Sequence, residues 1–234
     1  MSILEHGRTR LSIIDPLAAI MNTECILAHR GLWESPSEAN SREAILRAFD
    51  EGFGIETDLR ATQSGKVIIC HDAICLDSDA PTFDWLLEAH QSISPNSILA
   101  LNIKADGLHS LIKNQLLSFA VNQYFLFDMS VPDLLSGSTS GLRQFGRASC
   151  YEDPAPLSAF VSGLWVDCFN EAFPSLSDIQ TLSQAWSDLA FVSPELHGRS
   201  HHVFWQDLKS ISCLDGCNFM LCTDLPRLAV EYFN

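Results

Sequence analysis

Three short apolar runs near the start of the chain end in side chains that can do chemistry. His29 and Arg30 end the first run, Glu56 and Asp58 end the second, and His71 ends the third. Carboxylates can hold a divalent cation, and imidazoles transfer protons near neutral pH. A guanidinium binds phosphate oxygens through paired hydrogen bonds. We interpret this set as the parts of a metal-assisted phosphoryl-transfer site.

The runs that carry these residues have the length and composition of buried strands. The segments 25–31, 53–59 and 67–72 are continuous and apolar, and each is too short for a helix. Residues two apart on a strand face the same side, so Glu56 and Asp58 should project together. The same rule places Asn102 and Lys104 on one face at the end of a fourth run.

The rest of the chain continues to alternate strand-like runs with helix-like segments. Such alternation predicts a parallel sheet covered by helices, and the length of 234 residues fits one (β/α)8 TIM barrel of ~250 residues. Nine strand candidates are present for eight places, so one of them, 67–70 or 145–150, should be peripheral. We expect a single barrel domain over 25–234, preceded by an extension, 1–24, that packs on the barrel or is partly ordered.

Composition restricts the partners of the protein. The net charge of −15 and the pI near 4.7 disfavour nucleic acid and anionic membranes. A small anionic substrate could then bind only where cations are concentrated. No apolar run reaches the ~18 residues of a membrane span, and the N-terminus lacks a secretory signal pattern. Most of the 8 cysteines stand in apolar runs, which predicts buried free thiols and a cytoplasmic location.

Several motifs together, in order and at matching spacing, resemble the glycerophosphodiester phosphodiesterase family of the phospholipase C-like superfamily. The family pattern has His-Arg-Gly, Glu-Asn-Ser/Thr, Glu-x-Asp and Gly-x-x-Val-x-x-His-Asp, and this chain departs from it at Ala39, where the family has the glutamate. The matching segments here are 29–31, 40–41, 56–58, 65–72, 101–104 and 222–226. The match is dense over 28–72 and sparse over 105–217.

The resemblance implies a TIM barrel enzyme that hydrolyses a glycerophosphodiester or a similar small phosphodiester to an alcohol and a phosphomonoester. It implies that His29 and His71 act as acid and base. Arg30, aided by Lys104, would bind the phosphate oxygens. An enzyme that shares the site could instead be a lyase, or act on another headgroup such as a sugar phosphodiester. A non-catalytic barrel that only binds a phosphoryl ligand is a further alternative.

The resemblance also implies a divalent metal ion, magnesium or calcium, on Glu56, Asp58 and Asn102. Two carboxylates ~5 Å apart repel by roughly 3 kcal/mol at an effective dielectric near 20, so this pair calls for a positive partner. The family has an acidic residue at the third position, where this chain has Asn102. An amide oxygen can coordinate either metal but brings no charge. Glu152, Asp167 and Glu195 follow strand-like runs and are candidates to compensate.

Other residues are weaker candidates. His197, His201 and His202 form a second histidine cluster, for which a solvated loop is the simpler interpretation than a site. Phe169 and Asn170 follow a strand-like run directly and could contact a substrate. The oligomeric state is left open.

Overall fold

The computed structural model describes residues 21–72, 80–211 and 218–234, which form a barrel of strands surrounded by helices. The strands are β1 Ile26–His29, β2 Gly54–Ala61, β3 Val67–Ile69, β4 Leu99–Ile103, β5 Tyr124–Phe127, β6 Phe145–Ala148, β7 Gly163–Val166, β8 Asp188–Val192 and β9 Asn218–Thr223. The helices are α1 Arg42–Asp50, α2 Phe83–Ile93, α3 His109–Ser118, α4 Val131–Gly137, α5 Leu176–Ala185, α6 His202–Ile211 and α7 Pro226–Phe233.

Eight of the strands are parallel and follow the order β5-β4-β2-β1-β9-β8-β7-β6. The two end strands meet through a parallel bridge between Leu126 and Gln144, where the Leu126 amide donates to the Arg143 carbonyl at 2.9 Å. The sheet therefore nearly closes on itself, which confirms the predicted (β/α)8 barrel.

β3 is the surplus strand, and it differs from the sequence-based expectation in direction. It pairs antiparallel with β2, from Leu59 opposite Ile69 to Ala61 opposite Val67, whereas the run at 145–148 is a barrel strand. Of the two alternatives for the peripheral run, the structure therefore confirms 67–70 and excludes 145–150, and His71 follows an antiparallel strand. Only 62–66 separate the two strands, and a connection that short joins antiparallel neighbours, because a parallel pair needs a crossover of about a dozen residues.

Strand alternation divides the core into a layer under the helices and a plug inside the barrel. Inside, Phe125 stacks on Phe145 with ring centroids 4.0 Å apart, and Phe127 stacks on Trp165 at 3.9 Å. The plug fills the interior, so polar chemistry is confined to the rim at the C-terminal ends of the strands. Trp165 is thus a core residue, as its place in a strand predicts.

The start of α1 settles which residue caps it. The Ser41 hydroxyl accepts a hydrogen bond from the Ala44 amide at 3.1 Å, which is the usual N-cap contact. Asn40, the residue before Ser41, has a positive φ of 65° and is buried. Its amide is therefore available for contacts at the rim.

The cysteines only partly follow the prediction of buried free thiols. Cys168 and Cys222 are free and buried, Cys150 is free but exposed, and Cys70 is disulfide-bonded. Most of the predicted extension, residues 1–20, lies outside the described residues. Within the described ranges, no helix has the length and apolarity to cross a membrane. The cytoplasmic location stays a prediction.

Candidate functional site

The imidazole of His29 lies between two carboxylates at the rim. His29 and Glu56 are register partners on β1 and β2, and His29 Nε2 is 3.9 Å from Glu56 Oε2. On its other side, Nδ1 is 2.7 Å from Asp224 Oδ1. Burial pulls the pKa of His29 down, but the hydrogen bond to Asp224 and the charge of Glu56 raise it above its ordinary value overall. The His29 ring is thus held in one orientation by Asp224, with a raised pKa.

Asp224 was not among the residues predicted for the site, and its only sequence signal is the Thr-Asp-x-Pro match at 223–226. Glu195 holds it in place by accepting from the Asp224 amide at 3.3 Å. The hydroxyls of Ser193 and Thr223 also donate to Glu195. Both carboxylate oxygens of Glu195 are therefore engaged, and Glu195 positions the rim of β9 without offering a free metal ligand.

Asp58 is fully buried and surrounded by positive and hydrogen-bonding groups. Arg30 Nε is 3.1 Å from Asp58 Oδ2, and Lys104 Nζ is 3.4 Å from Oδ1. Asn40 Nδ2 donates to Oδ2 at 2.9 Å, while Asn40 Oδ1 accepts from Thr57 Oγ1 at 2.7 Å. The two residues expected to bind phosphate are therefore held beside an acidic residue, with their side chains partly exposed.

Each of the three predicted metal ligands has an oxygen that accepts no hydrogen bond, and the one on Asp58 lies 3.4 Å from Lys104 Nζ. Glu56 Oε2, Asp58 Oδ1 and Asn102 Oδ1 are buried and have no hydrogen-bond partner. Asn102 Nδ2 donates to Glu56 Oε1 at 3.2 Å, which leaves its own oxygen free. Burial and the nearby Asp58 charge raise the pKa of Glu56. These oxygens fit a hard cation such as Mg²⁺ or Ca²⁺, because such ions take carboxylate and amide ligands.

This donor set contains only two carboxylates. Among the residues that the structure describes, no group of three His, Cys, Asp or Glu side chains is arranged to hold a metal. The third oxygen is the amide of Asn102, as the sequence predicts. Arg30 and Lys104 therefore already offset the negative charge that Glu56 and Asp58 would offer to a cation.

His71 reaches the rim from the antiparallel hairpin. The backbone amide of Cys70, just past β3, donates to the backbone carbonyl of Asp58 at 2.9 Å. This hydrogen bond holds the end of β3 against the barrel strand β2. The His71 side chain is 47% exposed, and its Nδ1 is 3.0 Å from Asp72 Oδ1. His71 and Arg30 line one cavity of about 340 Å³, together with Asn40. That volume suits a small ligand.

A chain of charges continues from Lys104 along the rim to Asp128 and Arg147, two residues that the sequence did not suggest. Asp128, just past β5, pairs with Arg147 of β6 and lies 3.9 Å from Lys104 Nζ. Glu152 is 3.5 Å from Arg147 Nε and lines a separate cavity of about 420 Å³. The structure thus places Glu152 with Arg147 and not with Glu56.

The histidine cluster separates into one rim residue and two others. His197 Nε2 is 2.8 Å from Oδ1 of Asp167, so Asp167 is also engaged. His201 packs against Trp205 with ring centroids 4.2 Å apart, and His202 is exposed at the start of α6. Only His197 therefore joins the mouth of the barrel.

No family model and no curated protein matches this sequence. Solved structures do match. A candidate glycerophosphodiester phosphodiesterase from Galdieria sulphuraria is 13% identical with a TM-score of 0.73, covering 92% of this chain and 99% of that one. A glycerophosphodiester phosphodiesterase from Parabacteroides distasonis is 16% identical with a TM-score of 0.70, covering 91% and 98%.

A third similar structure is a phosphodiesterase from Oleispira antarctica in complex with its product sn-glycerol-3-phosphate. It is 14% identical with a TM-score of 0.62, covering 88% of this chain and 95% of that one. The chain has the fold of these phosphodiesterases. At this level of identity the likeness establishes the barrel, while the chemistry must be argued from the residues of this chain.

Proposed function

We propose that this protein is a metal-dependent phosphodiesterase. Its substrate would be a glycerophosphodiester or a similar small phosphodiester, which it hydrolyses to an alcohol and a phosphomonoester. The observation that carries the proposal is the group of buried oxygens on Glu56, Asp58 and Asn102 that accept no hydrogen bond, beside a His29 paired with Asp224. The similar structures named as phosphodiesterases support the same reaction class.

The cationic side chains would bind the phosphodiester anion. Arg30 and Lys104 flank Asp58, and each keeps part of its side chain exposed. Arg30 also faces the cavity shared with His71, where a phosphate could accept its paired N–H groups. In such a site the substrate anion is drawn to these two cations despite the overall charge of −15.

The two histidines would move the protons. His29 and His71 reach the site from β1 and from the β3 hairpin, and Asp224 fixes Nδ1 of His29 so that Nε2 faces Glu56. One imidazole takes the proton of the attacking hydroxyl or water, and the other protonates the alcohol oxygen that leaves phosphorus. A metal bound by Glu56, Asp58 and Asn102 would neutralise a non-bridging phosphate oxygen and polarise the nucleophile.

Phosphorus NMR of the reaction products tests this proposal. The protein would be incubated with a panel of glycerophosphodiesters and magnesium, calcium or manganese, with chelator as the control. We expect a phosphomonoester product, no turnover with chelator, and a loss of about 10²–10⁴ in turnover for His29→Ala or His71→Ala. His202→Ala, which changes an exposed histidine outside the site, should behave as the wild type.

Other products or no products would change the assignment. A cyclic phosphate that accumulates as the end product would assign the protein as a lyase. Binding of a phosphodiester without turnover under every metal condition would assign it as a non-catalytic binding barrel. Full activity in chelator would refute the metal requirement.

A further inference from the structure

A second aspartate–histidine pair lies at the rim, apart from His29 and Asp224. Asp167 directly follows β7 and is 8% exposed. Its Oδ1 is 2.8 Å from Nε2 of His197, which ends the 3-10 turn Pro194–His197 after β8. Since Trp165 points into the barrel plug, strand alternation also turns Asp167 toward the mouth.

Contacts link this pair to the proposed phosphoryl site. The 3-10 turn that ends in His197 also carries Glu195, which accepts a hydrogen bond from the amide of Asp224, the partner of His29.

The pairing fixes which atom of His197 is available. In the tautomer that carries its proton on Nε2, His197 donates to Asp167 and its Nδ1 is left as a hydrogen-bond acceptor. Within the described part of the chain, the His197 ring makes no other hydrogen bond. The Phe169 ring lies 5.3 Å from the His197 ring, and the exposed Tyr151 ring lies 6.0 Å from Phe169. The acceptor thus stands beside an aromatic surface open to the mouth.

We infer that His197, positioned by Asp167, contacts the alcohol moiety of the substrate and selects one that carries a hydrogen-bond donor. The inference rests on the proposed function, in which the phosphate is bound at the Glu56 side of the mouth. A hydroxyl or an ammonium N–H satisfies Nδ1, while the carbon atoms pack on Phe169. A quaternary ammonium has no N–H, so it would cover Nδ1 of His197 and leave that nitrogen without a hydrogen bond. A site built around a hydrogen bond discriminates against a substrate that lacks the donor.

Two substrates of equal charge test this selection. Glycerophosphoethanolamine has N–H donors, whereas glycerophosphocholine carries methyl groups in their place. We expect the wild type to have a kcat/KM about tenfold or more higher for the ethanolamine compound. His197→Ala should remove most of that preference by lowering kcat/KM for this compound alone, and His197→Gln should restore part of it. His202→Ala is the matched control and should keep the preference.

Other outcomes overturn the inference. An equal loss on both substrates would show that His197 only supports the fold, and unchanged kinetics on both would show that it does not touch substrate. If the wild type hydrolyses neither compound, the panel of phosphodiesters described above decides on the proposed function, and calorimetric binding of these two compounds decides on the subsite. A binding preference for the ethanolamine compound that His197→Ala abolishes would support the subsite, while equal binding or no binding would refute it.

Discussion

Replacing Asn102 with aspartate puts a third carboxylate beside those of Glu56 and Asp58, whose oxygens Oε2 and Oδ1 accept no hydrogen bond. Asn102 Nδ2 donates to Glu56 Oε1 at 3.2 Å, so Asn102→Asp loses this bond and places two negative charges at a similar separation. Two unit charges 3.2 Å apart repel by roughly 5 kcal/mol at an effective dielectric near 20. Protonating a carboxyl group of ordinary pKa at pH 7 costs about 4 kcal/mol, and the pKa of Glu56 is already raised, so about 4 kcal/mol is the upper limit of the penalty.

The penalty should disappear when a divalent cation binds between the oxygens, because the added charge then becomes a stronger ligand. In chelator, we expect the Tm of Asn102→Asp to lie below that of the wild type by at most roughly 8–16 °C, since each kcal/mol shifts Tm by about 2–4 °C at this size. Millimolar magnesium or calcium should raise the Tm of Asn102→Asp more than that of the wild type.

Asn102→Ala is the matched control for this experiment. It removes the hydrogen bond to Glu56 without adding charge, so its destabilisation should not recover specifically with metal. An Asn102→Asp protein that is folded by circular dichroism, but has the same Tm in chelator and in metal, would refute a cation at these oxygens.

Three further predictions test the pKa values of two histidines and the packing of one glycine. Asp224→Asn should lower the pKa of His29, because the carboxylate that raises it is neutralised; an NMR titration with an unchanged pKa would contradict this. Gly31→Ala should lower the free energy of unfolding, measured in urea, by more than Gly65→Ala does. Gly65→Ala should lower it by about 1–2 kcal/mol, the cost of a side chain in the left-handed region. Both glycines have a positive φ, 87° at Gly31 and 80° at Gly65. A Cβ at position 31 would lie 2.7–2.8 Å from the backbone of α1, whereas a Cβ at position 65 would meet no atom within 4 Å. Equal losses of stability in the two variants would argue against that packing. Burial lowers the pKa of His90 below 6.5, so the wild type should lose stability relative to His90→Gln as the pH falls below about 6.5, and parallel pH curves would rule this out.

The sequence was sufficient for the features that depend on neighbours along the chain. The alternation of apolar runs with helical segments predicted the barrel, and the two-residue period predicted that Glu56 and Asp58 share a face. The order of the motifs pointed to the rim as the place for chemistry. These features are local because strand and helix periodicity repeats within a few residues.

The tertiary structure decided the features that depend on which strands become neighbours. His29 meets Asp224 across 195 positions because β9 pairs with β1 when the barrel closes. Asp167 meets His197 for a similar reason, through the turn after β8. The short connection after β2 reverses β3, so His71 arrives from a hairpin. No period along the chain encodes these meetings, because strand order and closure are settled only when the whole sheet packs.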